Sequence, residues 1–309
     1  MKKLSIIVPC YNEQEAIKFF YPAVEKVVAG LEIEAEYWFI NDGSKDRTLV
    51  EIKQLRKQIG DKIHYVSFSR NFGKEAALLA GLKAATGDFV VVMDADLQDP
   101  PDLLEQMLAL LETGEWDCVG AKRVDRVGED KIKTFFSRSF YRIINQLSET
   151  QIVPNVRDYR MMTRQMVDAV TSLGEYSRFS KGIFSWVGFR TKYLEYHNVK
   201  RVAGETSWNT WQLFKYAFDG IADFSLAPLN LAVLIGSFSS LLAIAGIIWV
   251  IVRHIVDPTS AIFGWASLVS IILLIGGLQL LCIGIIGRYI GKIYLQVKKR
   301  PIYIVEEEA

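Results

Sequence analysis

Two stretches without a single Asp, Glu, Lys or Arg occupy the C-terminal third of this 309-residue chain: Phe224 to Val252, 29 residues, and Pro258 to Gly287, 30 residues. Each exceeds the roughly 20 apolar residues that carry a helix across a bilayer core, and core helices of that length without one charge are rare. The chain is therefore expected to contain two membrane spans, about 229–252 and 264–287, joined through Arg253 to Asp257 as a hairpin. The other 250 residues carry all 71 charged side chains, about 28%, a value proper to a soluble domain. The mean hydropathy of +0.18 is an average over two solvents.

Positive charge orients the hairpin. Arg288, Lys292, Lys298, Lys299 and Arg300 follow the second span, against Arg253 and His254 between the spans, so the tail and the large N-terminal part are expected to be cytoplasmic. Met1-Lys2-Lys3 opens like a signal peptide, but Pro9, Asn12, Glu13 and Glu15 end the apolar run too early, which leaves a buried first strand. Before the first span, Trp208, Trp211, Phe214, Phe218 and Ile221 recur three or four apart, the pattern of an amphipathic interface helix over 207–223. Gly277, Gly284 and Gly291 recur every seven residues and Gly287 to Gly291 is a GxxxG, which suits hairpin packing or a homo-oligomer formed through the hairpin.

The charge balance of 36 Lys+Arg against 35 Asp+Glu argues against a nucleic-acid partner, and a half-hydrophobic composition argues against disorder. Cys10, Cys118 and Cys282 are odd in number and lack metal-ligand spacing, so reduced thiols are expected.

Residues 1–206 read as a globular domain in which strands (Ser5–Val8, Tyr37–Ile40, His64–Phe68, Phe89–Met93, Asp117–Gly120) alternate with helical patterns (Glu13–Ala29, Thr48–Ile59, Lys74–Ala85, Pro101–Leu111). That alternation predicts an α/β fold with a mostly parallel sheet covered on both faces, whose ligands lie beyond the carboxyl ends of the strands. The polar clusters fall there: Pro9-Cys10-Tyr11-Asn12-Glu13, Asn41-Asp42-Gly43-Ser44 and Asp94-Ala95-Asp96-Leu97-Gln98-Asp99-Pro100-Pro101. Asp94 and Asp96 emerge from a buried strand, and two such carboxylates repel each other unless a cation sits between them; hard oxygen donors suit Mg²⁺ or Mn²⁺. An Asp-rich turn capping the next helix is the plainer reading of the same residues. Neither GxxxxGK nor GxGxxG occurs, so a Walker-type ATPase and a dinucleotide-binding dehydrogenase lose their signatures.

Together with Ser69-Arg70-Asn71-Phe72-Gly73-Lys74, Arg201 to Ser207 and the two spans, these motifs resemble, over nearly the whole chain, the family 2 glycosyltransferases of GT-A (Rossmann-like) fold. Within that family the resemblance is to the polyprenyl-phosphate glycosyltransferases. It implies that Pro9, Tyr11, Glu13 and Asp42 line a nucleotide-sugar pocket, that Asp94 and Asp96 hold the donor through the metal, and that Gln98 lies beside the diphosphate or the metal. Asp158 falls where relatives carry a catalytic aspartate, with Asp96 as its catalytic companion. The run here is Arg157-Asp158-Tyr159-Arg160, a departure from the family's Gly-Asp-Phe-Arg-like pattern at its first position.

Between Lys122 and Arg142 seven Lys or Arg face three acidic residues. The family resemblance assigns Arg123, Arg138 and Arg201 to the acceptor phosphate, which guanidinium groups bind bidentately. A phosphate monoester is already a competent anionic nucleophile near neutral pH, so Asp158 is expected to orient rather than to remove a proton. The reaction so implied is one inverting displacement from a UDP-sugar, UDP-glucose or UDP-GlcNAc, to undecaprenyl (polyprenyl) phosphate at the cytoplasmic face of a bacterial inner membrane. The lipid-linked sugar would serve cell-envelope glycan modification, with a separate flippase as a further candidate partner. A processive polysaccharide synthase is disfavoured by the lack of Gln-x-x-Arg-Trp, and a non-catalytic nucleotide-sugar-binding scaffold by the intact Asp94, Asp96 and Asp158.

Overall fold

The computed structural model describes residues 2–124, 145, 153, 156–197, 227–256 and 264–309. The expected interface helix at 207–223, and with it Arg138 and Arg201, lies outside the described residues.

Eight strands form one sheet in the order β7-β5-β6-β4-β1-β2-β3-β8. At its centre β1 (Lys3–Cys10) runs parallel to β2 (Glu34–Asn41) and β4 (Phe89–Val92), and β2 runs parallel to β3 (Ile63–Phe68). The crossovers are α1 (Ile17–Val28), α2 (Thr48–Ile59) and α3 (Lys74–Ala84), while α4 (Leu103–Glu112) leads to β5 (Cys118–Arg123). These are the five strands and four helices expected from the alternation. The central strands read as unbroken apolar runs because helices cover both faces: Ile6, Ile7 and Val8 are wholly buried, as are Val90, Val91 and Val92. Each such side chain contributes roughly 1.5–3 kcal/mol of burial.

Helix α1 buries Ile17, Phe20, Tyr21, Val24 and Val28, a single stripe at helical spacing. Helix α3 differs, being buried from Ala76 through Leu82, and it lies so close to the sheet that a side chain at Gly81 would sit 2.2 Å from Ile7 Cγ2. Beside it α5 (Arg164–Ser172) packs on the same apolar cluster, with Met166, Val167 and Val170 buried there.

Three strands depart from the expected alternation. The strand β6 (Val156–Thr163) inserts antiparallel between β4 and β5, and β7 (Thr191–Tyr196), which follows α6 (Ser180–Trp186), pairs parallel with β5. The third, β8 (Val305–Glu308), comes from the extreme C-terminus and pairs antiparallel with β3. The C-terminal tail therefore forms the edge strand of the sheet beside β3.

Between domain and tail stand α7 (Ala227–Val256) and α8 (Trp265–Val297). Segments Pro228–Trp249 and Leu268–Val297, with mean hydropathies of 2.4 and 2.6, are long and apolar enough to cross a membrane. Their leucines and isoleucines are mostly exposed, unlike those of a core helix. Near the start of α7, the Ala232 carbonyl lies 3.7 Å from Cys282 Sγ in the second half of α8, as an antiparallel hairpin requires. The glycine stripe does not make that contact: a side chain added at Gly277, Gly284, Gly287 or Gly291 would meet nothing within 4 Å. Of the two expectations for the stripe, packing within the hairpin is thus not what the described residues use.

Candidate active site

Strand directions determine what meets at one edge of the sheet. Strands β1, β2 and β4 end there. Strand β5 is antiparallel to β6, which is antiparallel to β4, so β5 also ends at that edge and β6 begins there. The residues after Cys10, Asn41 and Val92, together with Arg123 and the pair Arg157-Asp158, are consequently neighbours although the chain separates them by more than a hundred positions.

The first two loops are bonded to each other. The Asn12 backbone N–H donates to Ser44 Oγ at 3.0 Å, and Lys45 N–H donates to Asn12 Oδ1 at 2.9 Å. Glu13 N–H donates to Thr48 Oγ1 at 2.8 Å, while Tyr11 is 43% exposed and Pro9 lies in register with Ile40. Asn12 takes φ 57° to make this turn. Asp42 is buried: its Oδ1 accepts from Phe72 N–H at 2.6 Å and its Oδ2 from Gly73 N–H at 2.9 Å. Burial pushes its carboxyl up, against the opposing effect of those two bonds. Asp42 thus anchors the loop between β3 and α3. Only glycine fits beside it, since Gly43 has φ 60° and an added Cβ would lie 2.2 Å from the Arg70 carbonyl carbon.

Lys74, the first residue of α3, is the centre of the cluster. Its Nζ lies 2.7 Å from Asp158 Oδ2 and 2.7 and 3.0 Å from the two oxygens of Asp94. Burial works against both charges, but Asp158 and Asp94 hold the ammonium well above its ordinary value, and Lys74 and Lys181 hold Asp158 well below the usual carboxylate range. The next residue, Glu75, accepts two bonds from Ser180 N–H and one from Ser180 Oγ. Burial pushes Glu75 up to about 7.

Beyond Asp94 the chain turns through Asp96, whose Oδ1 accepts from Gln98 N–H at 3.2 Å, with Leu97 at φ 53°. Arg157 Nη2 donates to Gln98 Oε1 at 3.3 Å, and its guanidinium lies in the field of Asp99, Asp94 and Asp96. Asp99 accepts from Tyr196 Oη at 2.6 Å, and Tyr159 Oη donates to the Pro100 carbonyl at 3.2 Å. Burial first, and then the charge of Asp94, push Asp99 up to about 6. Arg123 lies at the end of β5, in register with Tyr196.

The structure therefore brings together Asp94, Asp96, Gln98 and Asp158 on one side and Pro9, Tyr11, Glu13 and Asp42 on the other. Lys74, Arg157 and Lys181 were not singled out in the sequence; Lys74 stood in plain view within the Ser69 to Lys74 motif, next to a glycine that starts a helix. Among the described residues no three His, Cys, Asp or Glu side chains form a ready-made metal site. The donor set nevertheless fits Mg²⁺ or Mn²⁺, because Asp94 and Asp96 offer hard oxygens and Asp94 already attracts a cation, the Lys74 ammonium. Cations of this kind are commonly held by one or two carboxylates plus substrate phosphates.

Comparison with known proteins shows the family and the fold. The model of Glycosyl transferase family 2 matches residues 5–171. An uncharacterised glycosyltransferase of Synechocystis sp. is 41% identical over 99% of this chain and 95% of its own length. A prophage bactoprenol glucosyl transferase homologue of Escherichia coli is 41% identical over 98% of each chain. Among solved structures, glucosyl-3-phosphoglycerate synthase from Mycobacterium tuberculosis, in complex with Mn²⁺, UDP and glucosyl-3-phosphoglycerate, has a TM-score of 0.50 at 19% identity, over 72% of this chain and 78% of that one. It is similar in fold.

Proposed function

The chain belongs to glycosyl transferase family 2, and from that premise we propose that it moves one sugar from a UDP-sugar, UDP-glucose or UDP-GlcNAc, to polyprenyl phosphate at the cytoplasmic face of a membrane. The observation that carries the acceptor is the near-full-length similarity, hairpin included, to proteins named bactoprenol glucosyl transferases. The exposed apolar helices support the same reading, since a lipid phosphate is met where it leaves a bilayer.

In this reading a phosphate oxygen of the lipid attacks the anomeric carbon, the bond from that carbon to the diphosphate breaks, and UDP departs with the electron pair. Attack opposite the leaving group inverts the anomer. Asp94 and Asp96 would hold a divalent metal, which would supply charge stabilisation to the leaving diphosphate; the Mn²⁺ and UDP bound by the fold relative support a divalent metal. Gln98 and Arg157 flank the place of the diphosphate, and Pro9, Tyr11, Glu13 and Asp42 form the nucleotide side. Asp158 stays ionised beside Lys74 and orients the reactants; the acceptor anion needs no base. Arg123 contributes positive charge for the acceptor, with Arg138 and Arg201 assigned to the same phosphate.

Membranes containing the protein, incubated with a panel of radiolabelled UDP-sugars, test this. Label should move to the lipid fraction in a metal-dependent way and be lost in Asp96→Ala. Label in a polymer would point to a processive synthase, and no transfer from any donor would sink the enzymatic reading.

A further inference from the structure

The last residues of the chain make contacts that spanning a membrane does not require. The final turn of α8 docks on the globular domain, with Gln296 Nε2 donating to the Gly174 carbonyl at 2.9 Å and Tyr176 N–H donating to Gln296 Oε1 at 2.7 Å. The chain then turns at Lys299, with φ 49°, and Ile302 and Tyr303 pack against the apolar cluster on the α3 side of the sheet. The Tyr303 ring stacks on Phe68 with centroids 4.8 Å apart, and Phe68 meets Phe72 edge-on at 5.8 Å. Ser69 N–H donates to the Ile304 carbonyl at 3.1 Å, and β8 pairs with β3 as far as Phe68.

The contacts of Tyr303, Ile304 and Val305 fall where β3 becomes the loop 69–73. The other end of that loop is held by Asp42 through Phe72 and Gly73, and the next residue is Lys74. Gly73 takes φ 99°, a conformation that glycine adopts without strain, and its N–H rests on Asp42. Phe72 is fixed on three sides: its N–H on Asp42, one contact of its ring on Phe68, and the Arg70 guanidinium 4.0 Å from the ring centroid. Tyr303 backs this arrangement from behind Phe68.

We infer that the C-terminal segment 301–309, with Tyr303 as its anchor, is a positioning element for glycosyl transfer. It clamps the β3–α3 loop and so keeps the Lys74 ammonium on Asp94 and Asp158, coupling the geometry of the site to the membrane helix from which the segment continues. This rests on the transferase reading only for its effect on turnover; the clamp itself is a statement about the loop.

The test uses the full-length protein in membranes or detergent, as wild type, Tyr303→Phe, Tyr303→Leu and Tyr303→Ala. Hydrogen exchange at the Phe72 and Gly73 amides should quicken roughly tenfold or more in Tyr303→Ala and less in Tyr303→Leu, while Tyr303→Phe matches wild type. Sugar transfer should lose kcat roughly tenfold in Tyr303→Ala with donor KM changed less than about twofold, since a misplaced Lys74 removes stabilisation at the reacting centre rather than nucleotide contacts. If Tyr303→Ala does not fold, Tyr303→Leu carries the same comparison, because it keeps apolar volume and loses only the stacking. Unchanged exchange at those amides, or a lowered melting temperature with kcat intact, would overturn the clamp. If the wild type transfers no sugar, the transferase reading fails and the exchange measurement alone decides the clamp.

Discussion

Lys74 Nζ stands 2.7 Å from Asp158 Oδ2, and the same ammonium touches both oxygens of Asp94, so one cation ties the start of α3 to the end of β4 and the start of β6. Asp158 lies in β6 and Asp94 two residues beyond the end of β4, with which β6 pairs antiparallel, and the ammonium between them offsets the repulsion of the two carboxylates. Replacing Lys74 with Met should lower kcat about 100-fold, the scale of losing one preorganised electrostatic group. Asp158→Asn should abolish turnover while UDP binding, measured by calorimetry, persists. Wild-type turnover in Asp158→Asn would remove Asp158 from the mechanism.

Arg157 stands where the family pattern has glycine, and it faces Gln98, Asp99, Asp94 and Asp96. It offsets the negative charge of Asp94, Asp96 and Asp99, where the proposed function places the anionic donor. Arg157→Ala should raise the donor KM roughly tenfold, the worth of one hydrogen bond to a charged group, with a smaller effect on kcat. An unchanged KM would assign Arg157 to the Asp99 and Tyr196 network alone.

Chelation of divalent cations should stop transfer, and Mn²⁺ or Mg²⁺ should restore it. Asp96→Ala should resist restoration at the concentrations that rescue the wild type. Full activity in excess chelator would remove the divalent cation from the mechanism.

A contrasting carboxylate lies at the opposite edge of the sheet. Glu36 accepts from Ser5 Oγ at 2.6 Å and Thr86 N–H at 2.9 Å, and pairs with Lys3 Nζ at 2.5 Å. Burial alone would raise its pKa, but these partners lower it to about 2. Because the folded value lies below the unfolded one, its contribution is complete above the unfolded pKa and disappears as pH falls from about 4.5 towards 2. Linkage puts that contribution at about 3 kcal/mol. Chemical denaturation should show wild-type stability falling through that window, and Glu36→Gln should be less stable at pH 7 with a flatter acid profile.

Much of this was legible from periodicity. Strand and helix alternation up to Gly120 predicts β1 to β5 with their crossovers, because a parallel sheet covered on both faces requires apolar strands and amphipathic helices in turn. The charge-free runs announced α7 and α8 for an equally local reason. Asp94, Asp96 and Gln98 were readable because they directly follow a buried strand. By contrast, Val156–Thr163 gave no sign of entering between β4 and β5, since its neighbours lie far away in sequence and its polar ends suit a loop equally well.

What the sequence determined by itself, then, is the solvent each segment prefers and the local rhythm of its elements, both set by short-range chemistry. Only the tertiary structure decided which charges meet. Lys74, Asp94 and Asp158 converge through strand order, and β8 returns to β3 because an edge strand offers unpaired backbone groups that any suitable segment can satisfy. Pairing between distant segments depends on closing long loops around a shared core, and no local pattern records which partner is chosen.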